Sequence, residues 1–124
     1  MFELKILTRF AAAHQLKMVG QKCENLHGHN WKVEVCVGGE RLNKAGVLMD
    51  FGDVKRHVAA IMQEIDHKFL NELDCFKAVE QPSSERIAVH IARELQKRIE
   101  DSGIKVTRVS AWESDDACAT YILP

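Results

Sequence analysis

The chain opens on an alternation. Phe2, Leu4 and Ile6 fall on one face, with Glu3 and Lys5 on the other, which predicts a strand over 2–10. Residues 11–29 are mixed, contain Gly20 and Gly28, and read as a long loop. A second strand follows at 31–37, where Trp31, Val33, Val35 and Val37 alternate with Lys32, Glu34 and Cys36 until Gly38-Gly39 ends it. Gly46 to Gly52 is a short extended connector, and Asp53 is placed to cap a helix. Val54, Val58, Ile61 and Ile65 then recur on one helical face running to about Asp66. Residues 67–82 look irregular. Pro82-Ser83-Ser84-Glu85 combines a serine cap with a first-turn acid, and Ile87, Ile91, Leu95 and Ile99 stripe a second helix that ends near Asp101-Ser102-Gly103. The apolar stretches 105–113 and 118–123 read as a closing hairpin with a loop of about four residues around Ser114-Asp115-Asp116. The order ββααββ predicts an α+β domain over 1–124, an antiparallel four-stranded sheet with two helices on one face. Its outermost strands leave open edges that neighbouring subunits can cover.

Composition narrows this. At 124 residues there is room for a single core, and 46% apolar residues exclude a disordered chain. With 17 Lys+Arg against 18 Asp+Glu, nothing points to nucleic acid or an anionic membrane as a partner. No apolar run approaches the ~20 residues of a membrane span. The start, MFELKILTRF, is broken by charges, unlike a signal peptide or lipid anchor, so the expected compartment is the cytoplasm. So short a chain has little interior, and any large pocket is expected between subunits.

Candidate chemistry begins with clustering. His14, His27 and His29 fall within sixteen residues, and Cys23 lies among them. In an extended His27-Gly28-His29, both imidazoles point the same way, with Gly28 leaving space between them. If the first two strands pair antiparallel, His14 joins them. Three neutral imidazoles suit zinc and leave a fourth position open for catalysis or ligand capture. Cys23 has two competing roles, as a fourth ligand or as a reactive thiol beside the metal. Asp66-His67 is either a base with its orienting acid or a solvated helix end. Glu113, beside Trp112, is either a surface residue or a carboxylate able to hold a guanidine-like edge. His57 and His90 lie off the apolar stripes and read as surface residues. Cys36, Cys75 and Cys118 read as small buried hydrophobes. No Gly-rich phosphate loop occurs, nor the H-E-x-x-H or paired C-x-x-C of zinc hydrolases and deaminases. A non-catalytic metal module would leave Asp66-His67 and Glu113 without a purpose.

In order along the chain stand Phe10-Ala11-Ala12-Ala13-His14, Cys23-x-x-x-His27-Gly28-His29, Gly46-Val47-Leu48-Met49-Asp50-Phe51, Asp66-His67-Lys68-Phe69-Leu70-Asn71, Pro82-Ser83-Ser84-Glu85 and Trp112-Glu113-Ser114. Together they resemble the 6-pyruvoyl-tetrahydropterin synthase / 6-carboxy-tetrahydropterin synthase family, of the tunnelling fold, over about residues 3 to 122. The short gap between Cys23 and His27 resembles the 6-carboxy enzymes that make the queuosine precursor rather than the pyruvoyl enzymes. Arg86 stands where the family commonly has Asn, and Ser114 where it favours Thr. The resemblance implies that His14, His27 and His29 bind Zn²⁺ and that Cys23 is the catalytic base. It further implies that Asp66 and His67 form a proton relay reaching a neighbouring subunit's site, and that Glu113 anchors the pterin with Ser84 and Glu85 beside it. The implied substrate is 7,8-dihydroneopterin triphosphate, giving 6-carboxy-tetrahydropterin, acetaldehyde and triphosphate. A sister lyase, such as the pyruvoyl enzyme, is the alternative. The implied assembly is a homohexamer of two stacked trimers with sites at subunit boundaries.

Overall fold

The computed structural model describes residues 1–16, 25–77 and 81–124. Its strands are β1 (Phe2–His14), β2 (His27–Gly39), β3 (Lys68–Phe69), β4 (Lys105–Ser114) and β5 (Ala117–Ile122). They form one sheet in the order β3-β1-β2-β4-β5, antiparallel except where β3 runs parallel to β1. The long helices α1 (Phe51–Ile65) and α3 (Ser84–Arg98) pack on one face, and a short helix, α2 (Asp74–Lys77), precedes α3. The α+β class therefore holds, with a fifth, two-residue strand beyond the four expected.

The core lies between that face and the helices. Trp31, Val33, Val35 and Val37 of β2 are completely buried, as are Val54 and Ile61 of α1 and Ile87, Ile91 and Leu95 of α3. Phe10 stacks on Trp31 across β1 and β2, with ring centroids 5.7 Å apart and planes within 3° of parallel.

Several boundaries move. β1 and β2 are each 13 residues long, so both reach into the expected loop. Ala11-Ala12-Ala13 has neither β-branching nor polar alternation, so cross-strand pairing decides its conformation rather than its own propensity. Helix α1 begins earlier than expected because Asp50, not Asp53, caps it, its carboxylate accepting from the Gly52 N–H at 2.8 Å. Asp53 sits in the first turn and pairs with Arg56. Ser83 caps α3 by accepting from the Arg86 N–H. The closing turn is shorter than expected, because Ser114 and Ala117 are themselves paired strand residues. No helix among the described residues is long and apolar enough to cross a membrane.

Candidate active site

Strand parity carries the buried face beyond the core. On β1 it runs through Ile6, Phe10 and Ala12 to His14; on β2 it runs from Val37 through Val35, Val33 and Trp31 to His29 and His27. The alternation that turns the valines inward therefore delivers three imidazoles to one end of the same face. Register sets His14 opposite His27, and Ala12 opposite His29. On β4 the same parity leads from Val109 through Ala111 to Glu113. The β4–β5 register slips between Trp112 and Ser114, leaving Glu113 without a partner across β5. Such irregularities re-aim side chains, and here the carboxylate reaches the histidines. Glu113 Oε1 lies 2.6 Å from His29 Nε2, 3.4 Å from His14 Nε2 and 3.6 Å from His27 Nε2.

These four side chains present ligand atoms within 4.8 Å of one another, the one such group among the described residues. The proton positions suit a metal. His14 Nδ1–H donates to the Pro82 carbonyl at 2.8 Å, and His27 Nδ1–H donates to the Asn25 carbonyl at 2.8 Å. Carbonyls only accept, so in the neutral rings both Nε2 atoms carry bare lone pairs. They face each other at 2.9 Å, an arrangement that a shared cation relieves. His29 Nε2 is shut off from solvent with no aligned hydrogen-bond partner. Burial holds the His29 pKa below its ordinary value, against the opposing pull of Glu113. Inward-facing ring nitrogens converging in this way are the donor set a divalent metal needs. Room around Gly28 is not the reason for its presence: a Cβ there would meet only the Ala12 carbonyl, at 3.8 Å.

Asp66 and His67 dock on the outer edge of β1. Asp66 Oδ1 accepts from the Ala11 N–H at 2.8 Å, Asp66 Oδ2 lies 3.0 Å from His67 Nδ1, and the His67 N–H donates to the Ala11 carbonyl. His67 adopts φ 57, a left-handed conformation unusual for a residue with a side chain. It presents the imidazole to solvent, 81% exposed. His67 and His29 line one open cavity of about 390 Å³ with Ala11, Ala13 and Gly28. The Ala11 N–H, then His67, hold the Asp66 carboxyl below its ordinary pKa. A group with a depressed native pKa contributes stability fully above its unfolded value, about pH 4, and loses it as pH falls through the lower native value. Asp66→Asn is therefore expected to flatten the fall of Tm with acidification below about pH 4, measured by thermal melts across that range.

Ser84 and Glu85 form the first turn of α3, Ser84 half-buried and Glu85 exposed, one turn from the Pro82 carbonyl that holds His14. Cys23 lies outside the described residues. His90 is not a free surface residue: its ring packs 5.3 Å from that of Phe76, its Nε2 is out of solvent, and burial lowers its pKa. His57 is likewise partly buried. Cys36 is buried as expected, whereas Cys75 and Cys118 are exposed. The two carbonyls that orient the histidines have no sequence signal, because every residue carries one. Asn71 stood in a recognisable motif with no role attached to it.

The family model for 6-pyruvoyl tetrahydropterin synthase matches residues 3–123. The chain belongs to that family. It is an enzyme, a pterin side-chain lyase. A relative in Archaeoglobus fulgidus, provisionally named a 6-carboxy-5,6,7,8-tetrahydropterin synthase, is 40% identical over 114 residues, covering 92% of this chain and 90% of its own. The dihydroneopterin monophosphate aldolase of Pyrococcus furiosus is 36% identical over 107 residues, covering 86% of this chain and 85% of its own. The 6-pyruvoyl tetrahydropterin synthase structure from Caenorhabditis elegans shares the fold, with a TM-score of 0.85 at 22% identity over 99% of this chain and 96% of that one.

Proposed function

We propose that this member of the 6-pyruvoyl tetrahydropterin synthase family is a zinc-dependent 6-carboxytetrahydropterin synthase. It would convert 7,8-dihydroneopterin triphosphate and water into 6-carboxy-5,6,7,8-tetrahydropterin, acetaldehyde and triphosphate, in the cytoplasm, on the route to queuosine. The observation that carries this reading is the convergence of His14, His27, His29 and Glu113 on one point, with Cys23 four residues before His27.

His14, His27 and His29 would hold the zinc, whose chemistry is to polarise substrate oxygens and acidify hydroxyls. Cys23, as thiolate, would take a carbon-bound proton. Asp66 fixes the His67 ring through Nδ1, leaving Nε2 free to exchange a proton with a substrate hydroxyl. Glu113 remains partly open to solvent, and its two oxygens match the paired N–H donors of an amino-pyrimidine edge. Ser84 and Glu85 would stand beside that edge. Among the described residues the sheet ends in an unpaired β5 edge and in a β1 edge that β3 covers only at Ala12 and Ala13, which supports edge-to-edge joining of subunits into a homohexamer.

The name of the Pyrococcus relative supports a second reading, a side-chain aldolase acting on a monophosphate. One incubation decides between them. Zinc-loaded protein supplied separately with dihydroneopterin triphosphate and dihydroneopterin monophosphate is expected to release acetaldehyde and a 6-carboxy product from the triphosphate, identified by mass. A pyruvoyl product, or turnover of the monophosphate alone, would overturn the proposal.

A further inference from the structure

We propose that Asn71 is a positioning residue for the metal group, fixing His14 by completing the hydrogen-bonded edge of β1. The inference rests on His14, His27 and His29 holding a metal.

The segment 66–71 runs alongside residues 11–15 and grips them at both ends with side chains. At one end Asp66 Oδ1 accepts from the Ala11 N–H, and the Ala11 carbonyl accepts from the His67 N–H. In the middle Lys68 and Phe69 pair with Ala12 and Ala13 as β3. At the other end the Asn71 amide takes over. Its Oδ1 accepts from the Gln15 N–H at 2.9 Å, and its Nδ2 donates to the Gln15 carbonyl at 2.7 Å. A primary amide carries the same donor and acceptor as a peptide group, so Asn71 adds a rung after β3 has ended. Gln15 is the residue after His14, where the chain leaves the sheet. His14 is thereby held by β2 on one side, through His27, and by residues on both sides of it along the opposite edge. The same segment carries Asp66 and His67, so this ladder also sets the proton relay against the metal group.

The residue type follows from the two bonds. Aspartate has the acceptor but no donor and would oppose the Gln15 carbonyl; alanine has neither. A ligand whose backbone is loose loses orientation, and supporting-shell changes in metal sites cost about 10–100-fold in affinity.

The test is zinc affinity by chelator competition, with the visible spectrum of the Co²⁺-substituted protein, on wild type, Asn71→Ala, Asn71→Asp and Val106→Ala. Val106 is a buried β4 residue paired with Val37, far along the sheet from the histidines, and serves as a control for general loss of stability. Asn71→Ala is expected to bind zinc about tenfold more weakly with an altered Co²⁺ spectrum, Asn71→Asp to fall between it and wild type, and Val106→Ala to bind as wild type while melting lower. Wild-type affinity in Asn71→Ala, or equal weakening in Val106→Ala, overturns the proposal. Should Asn71→Ala not fold, wild-type affinity in Asn71→Asp overturns it equally. A wild type that holds no zinc overturns the metal reading and this one with it, whereas zinc-loaded wild type with an indifferent Asn71→Ala overturns this one alone.

Discussion

His27→Ala is expected to abolish stoichiometric zinc binding and, with it, turnover, while leaving the fold almost untouched. His27 is one-third exposed, and its Nδ1–H bonds only to the nearby Asn25 carbonyl, so little of the core depends on it. His14→Ala should lose zinc equally but unfold more easily. His14 is fully buried, its ring lies 5.1 Å from Trp31, and removing it strands the Pro82 carbonyl without a donor. An unsatisfied buried group of that kind costs about 1–3 kcal/mol. Both substitutions should weaken zinc by more than the roughly 100-fold upper end seen when only a supporting residue is changed. Metal content by atomic emission and thermal melts of the two variants check the pattern. Zinc retained at one per chain in either variant would sink the three-histidine site. A His14→Ala no less stable than His27→Ala would contradict the structural role of its bond to Pro82.

The difference between those histidines also shows what a sequence can reveal here. The period-two runs in β1 and β2 were plain because their cores are β-branched or aromatic and their outer faces charged. Those runs weaken just where the site begins. Ala11 to Ala13 and His27-Gly28-His29 lack strand-forming side chains, so both ends read as loop, although the register carries the ladder on to His14 and His27. Pairing energy from the long central part of the hairpin extends order into residues that would not choose it alone. Glu113 was visible as a carboxylate beside an aromatic, but its approach to the histidines depends on the register slip after Trp112, a property of three strands together. The stretch 67–82 reads as irregular for a related reason. β3 is two residues long, and residues 66–71 owe their placement to bonds with Ala11 through Gln15, more than fifty positions away in sequence. Long-range hydrogen bonds leave no local periodicity. The residue types needed for chemistry were legible; the backbone carbonyls and side-chain amide that orient them were not.

Cys23→Ala separates the two roles open to that thiol. As the catalytic base, its removal is expected to lower kcat by about 10²–10⁴-fold, the usual contribution of a positioned proton acceptor, with zinc still bound at one per chain. The three imidazoles already supply the three protein ligands of a catalytic zinc site, whose fourth position stays open for substrate. The metal group therefore does not need a thiolate, which leaves the cysteine free for proton transfer. Cys23→Ser sharpens the test. A hydroxyl occupies nearly the same space but ionises far less readily than a thiol, whose ordinary pKa is about 8.5, so the serine variant should be nearly as slow as alanine. Deuterium placed on the side-chain carbon whose proton is removed should wash out to solvent in wild type and be retained in both variants. Zinc lost together with activity would make Cys23 a ligand and return the proton transfer to Asp66 and His67. Washout that persists in both variants would leave the thiol with no part in the reaction.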